Sequence, residues 1–146
     1  YKIQISQQCI KNQKDEIINY YKKKNIKNYI FEFEKNILDL ILSSDLAITR
    51  CGATTTAELA HTAIPFIAVP IPDSINNHQY LNAKYYEDRG YCWILDQNNF
   101  NDENLFNLII EIMKDKKKLE SKHENMRKDY TDNVYNAIEA KIKEII

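Results

Sequence analysis

Glycine, proline and cysteine are scarce in this chain of 146 residues, which contains two, three and three of them respectively. The cysteines are odd in number and far apart, outside any CxxC or Cys/His spacing, so neither a disulfide framework nor a zinc site is predicted. With so few glycines, the two positions that carry one, Gly52 and Gly90, gain interest. The cysteine pattern favours the reduced cytosol.

A charge bias and a long apolar run are also missing. The 20 basic residues balance 21 acidic ones, so the net charge gives no reason to expect nucleic acid as a partner. The apolar run 63–72 is broken by three prolines and is shorter than the roughly 20 residues of a membrane helix. A start methionine and a signal pattern are absent at Tyr1, so we interpret the chain as a fragment of a longer protein.

Short β-like segments alternate with helical ones along most of the chain. This alternation predicts an α/β fold, a Rossmann-like parallel sheet with flanking helices, in one compact unit over 1–146. Strands are expected at 3–6, 29–33, 46–49, 66–69 and 91–95.

Two helical stripes follow the last strand and predict terminal helices over about 102–146. Asn101 or Asp102 is available as the N-cap of the first helix. The stripes consist of Leu105, Leu108, Ile109, Ile112 and Met113, and of Val134, Ile138, Ile142 and Ile145. The basic runs 22–24 and 116–118 are typical of solvated helix ends, and an anionic membrane surface is an alternative contact for them.

The segment 45–58, DLAITRCGATTTAE, joins a hydrophobic strand through one glycine to a threonine-rich helix start. In open α/β sheets, ligands bind beyond the carboxyl ends of the strands, where helix amides attract phosphate. Gly52 allows close approach of the backbone. The hydroxyls of Thr54, Thr55 and Thr56 are expected to join those amides in a neutral diphosphate site that needs no lysine or metal.

Glu58 is expected on the first turn of that helix. A carboxylate there can accept hydrogen bonds from the two hydroxyls of a ribose. The spacing Thr55-x-x-Glu58 is also that of a capping box, in which both side chains satisfy amides at a helix start. Taken alone, the motif favours the capping box.

A polar loop, 70–79, follows the predicted strand 66–69. Asn77, His78 and Gln79 offer neutral donors and acceptors that suit the hydroxyls of a hexose. Taken alone, His78 is more typical of a loop or a helix cap than of a ligand contact.

These motifs in this order resemble the carboxy-terminal half of the MurG family, the N-acetylglucosaminyltransferases of glycosyltransferase family 28. The matching segments are Asp45-Leu-Ala-Ile-Thr-Arg-x-Gly-Ala-x-Thr-x-x-Glu58, Ile64-Pro-x-x-x-Val-Pro70 and Asn77-His-Gln-x-x-Asn-Ala83. The resemblance covers nearly the whole chain and includes the pairs Gln7-Gln8 and Phe33-Glu34. It implies the GT-B architecture, of which this chain would be the UDP-sugar-binding carboxy-terminal domain, truncated at its amino-terminal edge.

The resemblance also implies roles for individual residues. Gly52, Ala53, Thr54 and Thr55 would lie at the diphosphate and the adjoining sugar, and Glu58 would bind the ribose hydroxyls. His78 and Gln79 would contact the GlcNAc hydroxyls, with Asn82 supporting their loop. Main-chain groups around Glu34 would recognise uracil in a pocket shaped by Phe33. No metal, no cofactor beyond the donor substrate and no catalytic residue is implied for this half.

The activity implied by the resemblance is an inverting transfer of GlcNAc from UDP-GlcNAc to lipid I, giving lipid II for peptidoglycan, and with it cell wall growth, cell shape and division. The family acts peripherally on the cytoplasmic face of the inner membrane. Its Gly-Gly-Ser loop would precede Tyr1, and its amino-terminal domain would hold lipid I and the membrane contact. This chain alone is therefore expected to be inactive.

Three alternatives remain open. One is a related GT-B transferase with another lipid or polyprenyl acceptor, because this half would mainly contact the donor and so does not identify the acceptor. Another is a non-catalytic UDP-GlcNAc-binding subunit that needs a partner chain. A third is a flavodoxin-like regulatory domain that binds no nucleotide.

Overall fold

The computed structural model describes residues 2–129 and 141–143. Between residues 4 and 129, five strands alternate with six helices. The strands are β1 (Gln4–Gln8), β2 (Lys27–Phe31), β3 (Ala47–Thr49), β4 (Phe66–Ala68) and β5 (Cys92–Ile94). The helices are α1 (Lys14–Lys23), α2 (Ile37–Leu42), α3 (Ala53–His61), α4 (His78–Glu87), α5 (Asp102–Lys114) and α6 (Lys116–Asp129). All five predicted strands are confirmed, each within two residues of the expected bounds.

The chain forms two compact units, Tyr1–Leu40 and Ile41–Ile146. In the first unit, β1 pairs in parallel with β2. In the second unit, β3, β4 and β5 form a parallel sheet in that order. Parallel pairing with helical crossovers confirms the predicted α/β class.

The core of the second unit surrounds β4. Phe66, Ile67 and Ala68 are all fully buried, as expected for a parallel strand covered on both faces. Phe66 and Ala68 belong to a cluster that includes Leu59 of α3, Ala83 of α4 and Met126 of α6. Ile67 belongs to a second cluster with Ile112 of α5. Helices therefore cover both faces of this sheet.

The terminal helices begin as the sequence predicts. The side chain of Asn101 caps α5 by accepting a hydrogen bond from the amide of Asn104, 2.8 Å away. The basic run 116–118 opens α6. Of the second predicted stripe, Val134, Ile138 and Ile145 lie outside the described residues, and Ile142 is helical and 51% exposed. Across the described ranges, no helix has the length and apolar content needed to cross a membrane.

Candidate functional site

The carboxyl ends of β3 and β4 lie side by side, because the two strands are adjacent and parallel. Gly52 and α3 follow β3, and the loop 70–77 and α4 follow β4. Loops at this edge of an open α/β sheet are where ligands bind. The structure therefore brings the two predicted segments to one edge of one sheet.

The start of α3 has no side-chain cap. Gly52 occupies the N-cap position in an extended conformation, φ −66° and ψ 142°, and the first turn contains no acidic residue. The first amides of a helix have no intrahelical partner, and here they belong to Ala53, Thr54 and Thr55, whose side chains are exposed. Such an end of a helix, with its positive dipole, is suited to an anion.

The capping box, which the Thr55-x-x-Glu58 motif favours when taken alone, does not form, because α3 begins at Ala53 and Thr55 is already its third residue. Two expectations are wrong for the same reason. Thr56 is fully buried, with its hydroxyl donating to the carbonyl of Gly52 at 2.9 Å, so it is no ligand donor. Glu58 is the sixth helical residue and lies on the second turn, not the first.

The loop after β4 ends in two consecutive left-handed residues. Asn76 has φ 52° and Asn77 has φ 56°, a conformation that asparagine tolerates better than most residues. The turn places His78 at the start of α4 with its side chain exposed. The ring Nδ1 of His78 lies 2.8 Å from the carbonyl oxygen of Ile75. A carbonyl oxygen can only accept, so Nδ1 donates in this bond, and Nε2 is an acceptor whenever the ring carries a single proton.

Gln79 and Asn82 connect the two segments. The Oε1 atom of Gln79 accepts from the amide of Cys51 at 3.3 Å and from the amide of Ile71 at 3.1 Å. The Nδ2 atom of Asn82 donates to the carbonyl of Cys51 at 3.1 Å. Both backbone groups of Cys51 are thus held by α4, and among the described residues the side chain of Gln79 makes its hydrogen bonds through Oε1 and not through its amide nitrogen. The loop 70–79 and the turn at Gly52 form one connected structure.

Arg50 joins a third loop to this edge, a role that the sequence reasoning missed. Its Nη1 donates to the carbonyl of Val69 at 3.1 Å and to Oε1 of Gln97, which lies in a short 3₁₀ turn after β5. The only sequence feature that pointed to this role is the position of Arg50, a cationic residue beside the glycine turn. Its partners are 19 and 47 residues away, where periodicity gives no information.

Replacing Arg50 with Met is expected to remove both contacts and to destabilise the second unit by about 1.5–3 kcal/mol, the contribution of a hydrogen bond from a charged group. Arg50→Lys should recover only part of the loss, because an ammonium lacks the planar fork of a guanidinium. Urea unfolding, followed by circular dichroism, measures the free energy of unfolding of both variants. Arg127→Met, an exposed position on α6, is the control, and equal midpoints for all variants would contradict the assignment.

Phe33 and Glu34 belong to the first unit and follow β2, which ends at Phe31. The side chain of Phe33 is 77% exposed. The Glu34 carboxylate accepts from the hydroxyl of Tyr29 at 2.6 Å and from the amide of Asn36 at 2.9 Å. These hydrogen bonds lower the pKa of Glu34, and the same contact raises the pKa of Tyr29. The Glu34 carboxylate is therefore engaged by groups of the first unit itself.

The cysteines of the second unit are packing residues. Cys51 and Cys92 are buried, and burial raises the pKa of their thiols to about 11 and about 12. Both thiols are therefore protonated at neutral pH and are poor nucleophiles. Within residues 2–129 and 141–143, no three His, Cys, Asp or Glu side chains cluster as metal ligands would.

Comparison with known proteins identifies the family. The sequence matches the glycosyltransferase family 28 C-terminal domain over residues 1–140. The chain belongs to this family. It is 35% identical over all 146 residues to the UDP-N-acetylglucosamine–N-acetylmuramyl-(pentapeptide) pyrophosphoryl-undecaprenol N-acetylglucosamine transferase of Pelagibacter ubique (strain HTCC1062). It is 38% identical over 110 residues, 75% of this chain and 32% of the relative, to the protein of the same name from Campylobacter jejuni (strain RM1221).

A solved structure of the family shares the fold. The crystal structure of Acinetobacter baumannii MurG superimposes with a TM-score of 0.82 and 25% identity over 97% of this chain and 41% of that one. The chain likewise spans 41% of the Pelagibacter relative. The family and the fold predicted from the three linked motifs are thus confirmed.

Proposed function

We propose that this chain binds UDP-GlcNAc and forms the donor-binding part of a transferase that moves GlcNAc to lipid I in peptidoglycan synthesis. The relatives that it matches over its whole length or most of it carry the name of that reaction. Lipid I and the cytoplasmic membrane surface would be contacted by the rest of such an enzyme.

The uncapped start of α3 is the observation that carries the proposal. It combines exposed amides and hydroxyls with the absence of acidic residues in the first turn, and it is fixed to the sugar-side loop through Gln79 and Cys51. A site held in place before the ligand arrives loses little entropy on binding.

Each predicted contact then has a chemical role. The amides of Ala53, Thr54 and Thr55 would bind the diphosphate, and the half-buried Glu58 would accept from the ribose hydroxyls. Nε2 of His78 is an acceptor and the Gln79 amide is a donor, so together they suit vicinal hexose hydroxyls. The uracil contact by the backbone at Glu34 stays a prediction from the resemblance.

The same arrangement would assist the transfer. When the bond from the anomeric carbon to the diphosphate breaks, negative charge grows on the leaving UDP. Helix amides that stabilise this charge more strongly in the transition state than in the ground state accelerate the step. Neutral donors and a helix dipole would provide this stabilisation without a metal ion. We therefore expect that removing divalent cations with EDTA leaves UDP binding unchanged.

Calorimetric titration with UDP and UDP-GlcNAc tests the proposal. Both ligands should bind with measurable heat, whereas uridine, without phosphates, should bind at least tenfold more weakly, since a charge-assisted contact contributes about 1.5–3 kcal/mol. Glu58→Gln removes the charged acceptor and should weaken UDP by about three- to thirtyfold. Asp88→Gln, an exposed position beyond the end of α4, is the control.

The outcomes separate the alternatives. No heat with either nucleotide would favour the flavodoxin-like domain without a ligand and overturn the proposal. Binding of UDP-GlcNAc with no transfer to lipid I by the intact enzyme, but transfer to another lipid, would favour the related GT-B transferase. Binding without any transfer would favour the subunit that needs a partner chain.

A further inference from the structure

A concave surface in the second unit lies between β5 and one face of α6. It has a volume of about 430 Å³. The residues around it are Gly90, Trp93, Asp115, Lys117, Lys118, Ser121, Lys122 and Asn125. None of them belongs to the segments 50–58 or 70–82 that form the candidate donor site. We refer to it as the α6 pocket.

Lys122 makes two contacts with β5 in this pocket. Its Nζ donates to the carbonyl of Cys92 at 2.8 Å and lies 4.3 Å from the centre of the Trp93 ring. The side chain is half-buried, and desolvation lowers its pKa. Within the part of the chain that the structure describes, no carboxylate lies within 4.0 Å of this ammonium. An ammonium has three donors, so Lys122 keeps hydrogen-bonding capacity beyond its carbonyl partner.

The other polar groups of the α6 pocket are also mostly donors. Lys117, Ser121 and Asn125 follow one another at intervals of four residues and therefore lie on one side of the helix. Lys118 forms an ion pair with Glu111. The lining itself contains three lysines against a single aspartate, Asp115, while Glu111 pairs with Lys118 and the charge of Glu87 acts on Lys122 from outside the lining.

The position of the lysines on the helix adds to this potential. The basic run 116–118 occupies the first turn of α6, which has no acidic residue. Cations at the positive end of a helix are disfavoured by about 0.3–1 kcal/mol each. A bound anion would offset that repulsion.

We infer that the α6 pocket binds a phosphate group. Ammonium, hydroxyl and amide donors arranged around a concave surface match the several oxygens of a phosphate, and charge-assisted hydrogen bonds of this kind are the stronger ones. The phosphate could belong to a free small molecule or to a lipid headgroup. The inference uses no residue of the proposed donor site and stands apart from it.

Trp93 is the only tryptophan of the chain, so its fluorescence reports on this pocket. Titration of the full chain with inorganic phosphate should give a saturable change. Lys122→Met keeps the apolar stem on Trp93 but removes the charge, and Lys117→Gln removes an exposed charge with little effect on folding; each should weaken the response by about tenfold. Lys128→Gln, on the same helix but outside the lining, should respond like the wild type.

A second arm uses vesicles of phosphatidylglycerol, with phosphatidylcholine vesicles as the comparison. A response to inorganic phosphate identifies a small-molecule site, and a response to phosphatidylglycerol vesicles alone identifies a lipid phosphate. No saturable response in either arm, or an equal response in the lysine variants and the wild type, overturns the inference. Lys117→Gln should still bind UDP-GlcNAc normally, so failure here leaves the proposed function intact.

Discussion

A Thr54→Asp variant is expected to be more stable than the wild type and to bind UDP much more weakly. Thr54 is the second residue of α3 and is exposed. A carboxylate there interacts favourably with the helix dipole, by about 0.3–1 kcal/mol. The same carboxylate repels a diphosphate at the helix start by about 1–4 kcal/mol, which corresponds to a loss of roughly five- to several hundredfold in affinity.

Stability is expected to rise while affinity for UDP falls. This makes the test strict, because a variant that gains stability cannot lose UDP binding through misfolding. Thr54→Asn, of similar size and uncharged, is the matched control and should change the dissociation constant for UDP by less than about threefold. Thermal unfolding and calorimetry give the two quantities. If the Thr54→Asp variant bound UDP as tightly as the wild type, the assignment of α3 to the diphosphate site would be wrong.

Two substitutions of Gln79 are expected to separate its structural role from its contact with the sugar. Gln79→Met leaves the Cys51 amide without an acceptor, which should destabilise the second unit by about 1–3 kcal/mol. Gln79→Glu keeps an acceptor oxygen for the amides of Cys51 and Ile71 and should retain the fold. It lacks the donor amide, however, and should lose affinity for UDP-GlcNAc.

The added charge of Gln79→Glu also acts on the diphosphate, so the ratio of the dissociation constants for UDP and UDP-GlcNAc is the informative quantity. If the Gln79 amide donates to the hexose, the variant loses more affinity for UDP-GlcNAc than for UDP. If the ratio of the two dissociation constants were unchanged, Gln79 would connect the two loops without contacting the hexose.

Much of the fold could be predicted from the sequence, because it depends on local patterns. The continuous apolar segment at β4 indicated a strand buried on both faces, and Asn101 indicated the start of α5. The glycine after β3 marked the turn into α3. In each case the deciding residues are within a few positions of each other.

The details of the site could not be predicted in the same way. Three consecutive threonines each suit a helix start, and only the extended conformation of Gly52 decides that α3 begins at Ala53. That choice turns Thr56 inward and moves Glu58 to the second turn. The contacts of Arg50, and that of Gln79 with Cys51, link segments 19 to 47 residues apart, so they depend on strand order and not on local preference.

The turn at Asn76 and Asn77 has a consequence for a chain so poor in glycine. Of the five residues with positive φ in the described part of the chain, only Gly90 is a glycine, and three are asparagines. An asparagine has fewer conformations in the unfolded chain than a glycine, so fixing it in a left-handed turn loses less entropy, by about 0.4–1 kcal/mol per position where no strain results. The segment that would meet the hexose therefore has fewer conformations to lose on folding, and substitution of both asparagines by glycine would make it looser while leaving His78 and Gln79 in the sequence.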